Sequence, residues 1–318
     1  MNDILKLCVC CTGVFVCYLF YGVYQERVTK GKYEDGEKFT YTATLVFVQC
    51  VTNSLFAAGA LALNKKPTKN VPWYLFAMAA FTYVAAMMCS NMSLRFVSYP
   101  TQVLVKSCKP VAVLLLGILI AGKRYPLFRY LCVALIVSGA AIFLYPKDKP
   151  SAAKVEGNEL MGNMLLAASL LFDGLTGALQ EKTNAFGVSS HTLMLNLNMY
   201  SLIYLGSGMV YLGEVPKFMA FVSRNPAVIK DVLAFCVLSS LGQNFIFMTV
   251  TTFGSLVCSL VTTTRKFFTI VFSVILFGNR LVSHQWFGVA LVFSGLFIEG
   301  MAKRNGSGKP AAAEKKTS

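Results

Sequence analysis

Ten stretches of this chain are each long and apolar enough to cross a lipid bilayer, and that limits what it can fold into. They fall at residues 4–24, 39–62, 72–93, 97–121, 126–145, 160–181, 191–213, 227–252, 255–278 and 283–301. A spanning helix needs about 20 mostly apolar residues, and inside hydrocarbon its backbone polar groups must bond within the segment. The runs are too continuous for barrel strands, which alternate in short pieces. The expected fold class is an all-α polytopic membrane protein. Only 14% of residues are charged and 56% are hydrophobic, whereas soluble domains carry about 25% charge. The first run has no clear small-residue cleavage site before a soluble domain, so it reads as a first span rather than a signal peptide.

The formal charge of +15 does not point to nucleic acid. The positive residues are scattered over short loops and a tail and form no basic domain, so part of that charge is expected to meet anionic lipid headgroups. All ten cysteines lie inside expected spans and read as small packing residues rather than a disulfide framework. The run GILIAGKR (117–124) mimics a phosphate-binding P-loop until Arg124 replaces the required Ser or Thr, and it ends a spanning helix. With only two histidines, both at span ends, and no nucleophile elbow, the sequence offers no metal site, no cofactor and no enzymatic constellation.

The chain also repeats itself. VALIVSG begins at Val133 and VALVFSG at Val289, and with that offset of 156 Gly122 meets Gly278, Arg124 meets Arg280 and Gly139 meets Gly295. Spans four and five thus match spans nine and ten. The expected organisation is a first five-helix repeat (1–145), a connecting loop (146–159), a second five-helix repeat (160–301) and a disordered tail (302–318). Five is odd, so the second copy enters the membrane from the opposite side. Inverted repeats of this kind place a substrate site near the bilayer midplane at their interface.

The same offset pairs Lys109 with Arg265. Each half carries two cations at mid-depth, Lys106 and Lys109 in span four, Arg265 and Lys266 in span nine. Tyr99, Gln102, Lys106 and Lys109 fall on one helical stripe, and Ser255, Ser259, Thr262 and Lys266 on another, with Thr263 and Arg265 beside it. Two such stripes suggest facing walls of an aqueous cavity. A charge at the centre of a spanning helix costs about 2.5–3.5 kcal/mol, so four cost roughly 10–14 kcal/mol. Asp173 in LLFDGLTG, the acid deep in a span, is too little to neutralise them all, and it is a candidate for coupling or gating. The expected function is a carrier whose cavity receives a multiply charged anion. ATP carries about four negative charges, ADP about three and a UDP-sugar about two, so the charge count leans to the adenine pair. Asn196, Asn198 and Gln243 are candidates to read a base or sugar, or else to bond between helices. Glu26, at the end of span one, reads equally as a gate or a loop charge.

These residues carry a resemblance. SYPTQVLVKSCKP (98–110), LLFDGLTG (170–177), GQNFIFMTV (242–250) and TTTRKFFT (262–269) resemble the nucleotide-sugar transporter family of solute carriers, in particular its B1 subgroup. Members of that subgroup are described both as UDP-galactose transporter-related proteins and as endoplasmic-reticulum ATP/ADP exchangers. The resemblance implies the drug/metabolite transporter fold with ten helices in two inverted halves, and alternating-access antiport. It implies that Lys106, Lys109, Arg265 and Lys266 contact phosphate. Thr-Thr-Thr-Arg-Lys at 262–266 departs from the Gly-Ala-Leu-Asn-Lys of GDP-mannose carriers, against guanine-sugar specificity. It leaves ATP/ADP and UDP-galactose or UDP-glucose with UMP both open. The closing KKTS looks like a dilysine signal, with Lys315 and Lys316 read by coat machinery on a cytosolic tail. That places the carrier in the endoplasmic reticulum with both termini cytosolic. A non-transporting membrane scaffold is the remaining class, and it does not explain two symmetric cation pairs.

Overall fold

The structure, a computed structural model, describes residues 3–30, 39, 41–63, 71–93, 96–97, 102, 105–144, 159–276 and 283–306. Those residues are almost wholly helical and contain no strand. In chain order the helices are α1 (Asp3–Lys30), α2 (Thr42–Leu63), α3 (Trp73–Ser93), α4 (Lys109–Leu119), α5 (Leu127–Leu144), α6 (Glu159–Asn184), α7 (Ser190–Leu212), α8 (Glu214–Arg224), α9 (Val228–Phe253), α10 (Ser255–Leu276) and α11 (Ser283–Gly306). Five of them, α1, α2, α3, α6 and α9, hold stretches long and apolar enough to span a bilayer. Polarity is distributed inside out for a soluble protein. Leu55, Phe81 and Leu233 face outward, while Asn53, Ser239 and Thr249 are fully buried. This is the distribution of a polytopic membrane protein, whose lipid-facing surface is apolar and whose polar groups turn inward.

The helix boundaries fall close to the expected spans, with two corrections. The expected unbroken span 97–121 is not one helix. Residues 105–107 are helical, Cys108 is a turn, and α4 restarts at Lys109 with Pro110 in its first turn. Proline has no N–H and cannot continue the bond ladder from the preceding turn, so the break falls between Lys106 and Lys109. The second correction is α8, in a stretch expected to be loop. Gly213, at φ +59°, closes α7 with its N–H on Met209 and Val210 carbonyls and starts α8 at once. A left-handed residue at a helix end suits glycine, which has no Cβ to clash.

Helices from the two halves of the chain interleave. α1 packs on α9, α3 on α6, α2 on α7, and α5 on α11. The α5–α11 pair is tight because glycines meet. A Cβ on Gly139 would lie 2.7 Å from the Gly288 carbonyl oxygen, and one on Gly288 would lie 2.6 Å from the Gly139 carbonyl oxygen. Small residues let membrane helices approach closely, where dispersion replaces the hydrophobic effect as the attraction. Gly139→Ala should therefore lower the thermal unfolding midpoint in detergent by the equivalent of about 1–3 kcal/mol. Gly59→Ala, where a Cβ meets nothing within 4 Å, should be neutral or raise it.

Candidate substrate cavity

The break in α4 lets two lysines converge on one acid. Lys106 precedes the break and Lys109 follows it, and both reach Asp173 on α6. Lys106 Nζ lies 2.6 Å from Asp173 Oδ2, and Lys109 Nζ lies 3.0 Å from Oδ1. Asp173 is buried, with 8% of its surface exposed. The helix that carries it is fixed to α3 by Thr176, whose hydroxyl bonds that of Thr82 at 2.8 Å, and by Ser169, which donates to the Ala86 carbonyl at 2.5 Å. As expected, one acid cannot neutralise four midplane cations. Asp173 takes up both members of the first pair.

Lys109 and Asp173 form part of the wall of an interior cavity of about 140 Å³. α10 contributes Ser255, Ser259 and Thr262, three members of the expected polar stripe. Asn198 of α7 and Gln243 of α9 close another side. These amides are part of a buried relay. Ser240 Oγ donates to Asn53 Oδ1 at 2.8 Å, Asn53 Nδ2 donates to Asn198 Oδ1 at 3.2 Å, and Asn198 Nδ2 donates to Gln243 Oε1 at 2.9 Å. The relay joins α2, α7 and α9. On the second half's side, the Arg265 guanidinium sits 4.9 Å from the centre of the Tyr18 ring, a cation–π contact.

Other expected residues are elsewhere. Gln102 turns away from the cavity and donates to the Ser90 carbonyl on α3 at 2.6 Å. Asn196 donates to the Thr192 carbonyl of its own helix at 2.9 Å and does not line the cavity. Thr263 is buried beside the stripe but is not part of the cavity wall. Tyr99, Lys315 and Lys316 lie outside the described residues, as do the side chains of Glu26 on α1 and Lys266 on α10. The cysteines, expected to be packing residues, are free thiols.

Sequence reasoning missed Tyr18 and Tyr83, the aromatic rings in the cavity wall, together with Asn53 and Ser240. It also missed Glu181. A recurrence was available to find it, since GVYQER (22–27) near the end of α1 returns as GALQEK (177–182) near the end of α6.

With this geometry in hand, similarity to known proteins is informative. Residues 6–303 match the family described as the UAA transporter family. The chain belongs to that family. It is 48% identical over 303 residues to solute carrier family 35 member B1 of Rattus norvegicus, covering 93% of this chain and 94% of the relative. The Drosophila melanogaster homologue is 44% identical over 298 residues, covering 90% and 87%. A solved crystal structure shares the fold with a TM-score of 0.59 at 10% identity, over 93% of this chain and 97% of that one. The protein is thus a multi-pass membrane transporter.

The relay predicts a stability difference between two similar residues. Asn53→Ala orphans Asn198 Oδ1 on α7 and leaves the Ser240 hydroxyl on α9 only the Cys236 carbonyl, and it should lower the unfolding midpoint by the equivalent of about 1 kcal/mol. Asn196→Ala removes a bond within one helix and should have a smaller effect in the same detergent melt.

Proposed function

We propose that this transporter exchanges ATP for ADP across the endoplasmic-reticulum membrane by alternating access. The observation that carries the reading is the cationic surround of the cavity, with Lys109 in its wall, Lys106 sharing Asp173 with it, and Arg265 against the ring of Tyr18, itself a wall residue. Lys266 follows Arg265 in sequence and is assigned the same phosphate-binding role. No carbonyl-rich or purely apolar cavity needs such groups, whereas a polyphosphate binds them through charge-assisted hydrogen bonds. Thr262 and Asn198 with Gln243 are assigned to the nucleoside end.

In this reading the chain has ten spans in two inverted halves, 1–145 and 160–301. The helix neighbours support it. Under the repeat, α1 corresponds to α6, α2 to α7, α3 to α9 and α5 to α11. The α1–α9 contact is then the mate of α3–α6, while α2–α7 and α5–α11 are each their own mates. Asp173 is assigned the place of a phosphate. Its two oxygens engage two ammonium groups, and an arriving phosphate competes for both. The cavity volume fits a closed state, because about 140 Å³ is below the roughly 300–1,000 Å³ of pockets that hold molecules of nucleotide size. The dilysine at 315–316 supports retrieval to the endoplasmic reticulum through coat proteins, with both termini cytosolic.

One observation favours a second reading. With Asp173 ionised and retained, the four cations leave a surplus of three charges, which narrows the advantage of ATP over a UDP-sugar with its two. Import of UDP-galactose or UDP-glucose in exchange for UMP is that alternative.

Proteoliposomes preloaded with ADP, ATP, UMP or nothing, then offered labelled ATP or UDP-galactose, separate the two. Labelled ATP should enter vesicles that hold ADP and not empty ones. Uptake of UDP-galactose driven by internal UMP, with ATP ignored, replaces the adenine assignment with the second reading. Lys109→Ala and Arg265→Ala should each slow exchange roughly thirtyfold or more, since truncating one buried charge contact costs about 2–5 kcal/mol. Exchange at the unmodified rate in either folded variant would remove the phosphate-clamp assignment.

A further inference from the structure

A second chamber of about 380 Å³ lies outside the first, where the α4–α5 turn, the end of α6 and the α9–α10 junction meet. Three cations, Lys123, Arg124 and Arg129, stand around it with one carboxylate, Glu181. The two chambers back onto each other. Along α6, Gly177 and Gln180 face the inner cavity, while Glu181 and Asn184 face the outer one. At the α10 start, Ser255 faces inward and Gly254 outward, and Val250 borders both.

Glu181 holds the partition between them. It is 5% exposed, and its Oε1 accepts the Ser255 backbone N–H at 2.6 Å and the Ser255 hydroxyl at 2.9 Å. An acid at the first N–H groups of a helix satisfies donors that have no partner within the helix. The chain wraps closely around it. Gly254 sits at φ +91°, and a Cβ there would lie 2.6 Å from Glu181 Oε1. The other oxygen, Oε2, pairs with Lys123 Nζ at 3.1 Å, and the Lys123 side chain is 47% exposed on the outer side. Lys123 is presented by the turn that ends α4, where its N–H bonds the Gly117 carbonyl at 3.1 Å after Gly122 at φ +63°.

The outer chamber also has unsatisfied polar groups in its wall. Tyr125 Oη and Asn184 Oδ1 are buried and find no partner among the described residues. Burial first, and Glu181 second, push the Tyr125 hydroxyl up to about 12, so it remains a hydrogen-bond donor at neutral pH. What the chamber itself offers to anionic oxygens is its three cations, Lys123, Arg124 and Arg129. Its volume falls in the range of small-molecule pockets.

We propose that this chamber is a docking site for the phosphate groups of the incoming anion, and that a docked phosphate takes Lys123 from Glu181 and so loosens the partition to the inner cavity. The proposal rests on the nucleotide-transport reading for its cargo. The position of the ion pair gives the sequence of events. Lys123 is the partition residue that an anion in the outer chamber reaches first, and its loss leaves Glu181 buried with one partner fewer.

The test reads Cys258, a buried thiol on the inner cavity wall. The full chain in lipid nanodiscs is treated with a charged thiol reagent, and mass spectrometry of the Cys258 peptide gives the labelling rate. Inorganic pyrophosphate is the probe, compared with chloride at equal ionic strength. Pyrophosphate should speed labelling of the unmodified chain about fivefold, the factor expected when a partly exposed ion pair is broken. Lys123→Gln/Arg124→Gln should lose that response, and Glu181→Gln should label fast without pyrophosphate. An unchanged or slower rate with pyrophosphate in the unmodified chain overturns the docking site, and so does a response that survives in the double variant. Nucleotide exchange measured on the same preparation separates the two proposals. Exchange without a pyrophosphate effect sinks the docking site alone, and a pyrophosphate effect without exchange sinks the substrate assignment alone.

Discussion

The grip of one buried carboxylate on two lysines organises this molecule. A lysine left bare at mid-depth in a spanning helix costs several kcal/mol, and two on one helix would repel each other. Asp173 removes most of that cost by engaging both at 2.6 and 3.0 Å. The geometry requires the two ammonium groups to reach the same point from different places along the chain. The turn at Cys108, with Pro110 after it, lets them do so. The carboxylate must also stay in place when the cavity is empty. The Thr176–Thr82 and Ser169–Ala86 bonds anchor α6 on α3 one turn to either side.

The rest of the interior follows from putting polar groups inside a protein whose outside faces lipid. In water the relay from Ser240 through Asn53 and Asn198 to Gln243 would compete with solvent. In a bilayer its alternatives are worse, so each amide finds a partner on another helix. The same helices need close approach elsewhere, and glycines provide it where α5 meets α11. Polar bonds thus bind α2, α7 and α9 through the relay, and small-residue contact binds α5 to α11 and, at Gly174 and Gly177, α6 to α4.

Much of this was readable beforehand. The ends of α2, α3, α5, α6, α7, α9 and α10 sit near the expected spans because hydropathy reports the bilayer directly. The polar stripe Ser255, Ser259, Thr262 lines the cavity because helical spacing survives in α10. The first stripe failed at Gln102, whose amide is taken by the Ser90 carbonyl on α3, a contact that spacing along one helix does not reveal. Asp173 was legible as one acid against four cations, but which two it serves depends on the turn at Cys108, which spacing does not show. Tyr18 and Tyr83 were hidden because an aromatic in a spanning helix looks alike whether it faces lipid, headgroup or cavity. Asn53 sits in VTNSLF with nothing periodic to mark it. Glu181 was hidden by its place near a helix end, where acids are usually solvated.

The recurrence of Gly-x-x-Gln-Glu before a basic residue, at 22–27 and 177–182, bears on how a carrier of this design would alternate. If the halves are inverted copies, Glu26 and Glu181 occupy equivalent stations at opposite membrane faces. At the α6 end, the buried carboxylate carries three bonds and the chain folds over it at Gly254. At the α1 end, the pair beside Glu26 is Arg27 with Asp231 at 3.6 Å, with the arginine 64% exposed. An exposed pair of that kind contributes little. The Arg27–Asp231 pair is therefore weaker than the buried bonds that Glu181 makes. A carrier built of equivalent halves reaches its opposite state by exchanging those roles. Glu181, now deeply bonded, would then have to give up its bonds to Ser255 and Lys123.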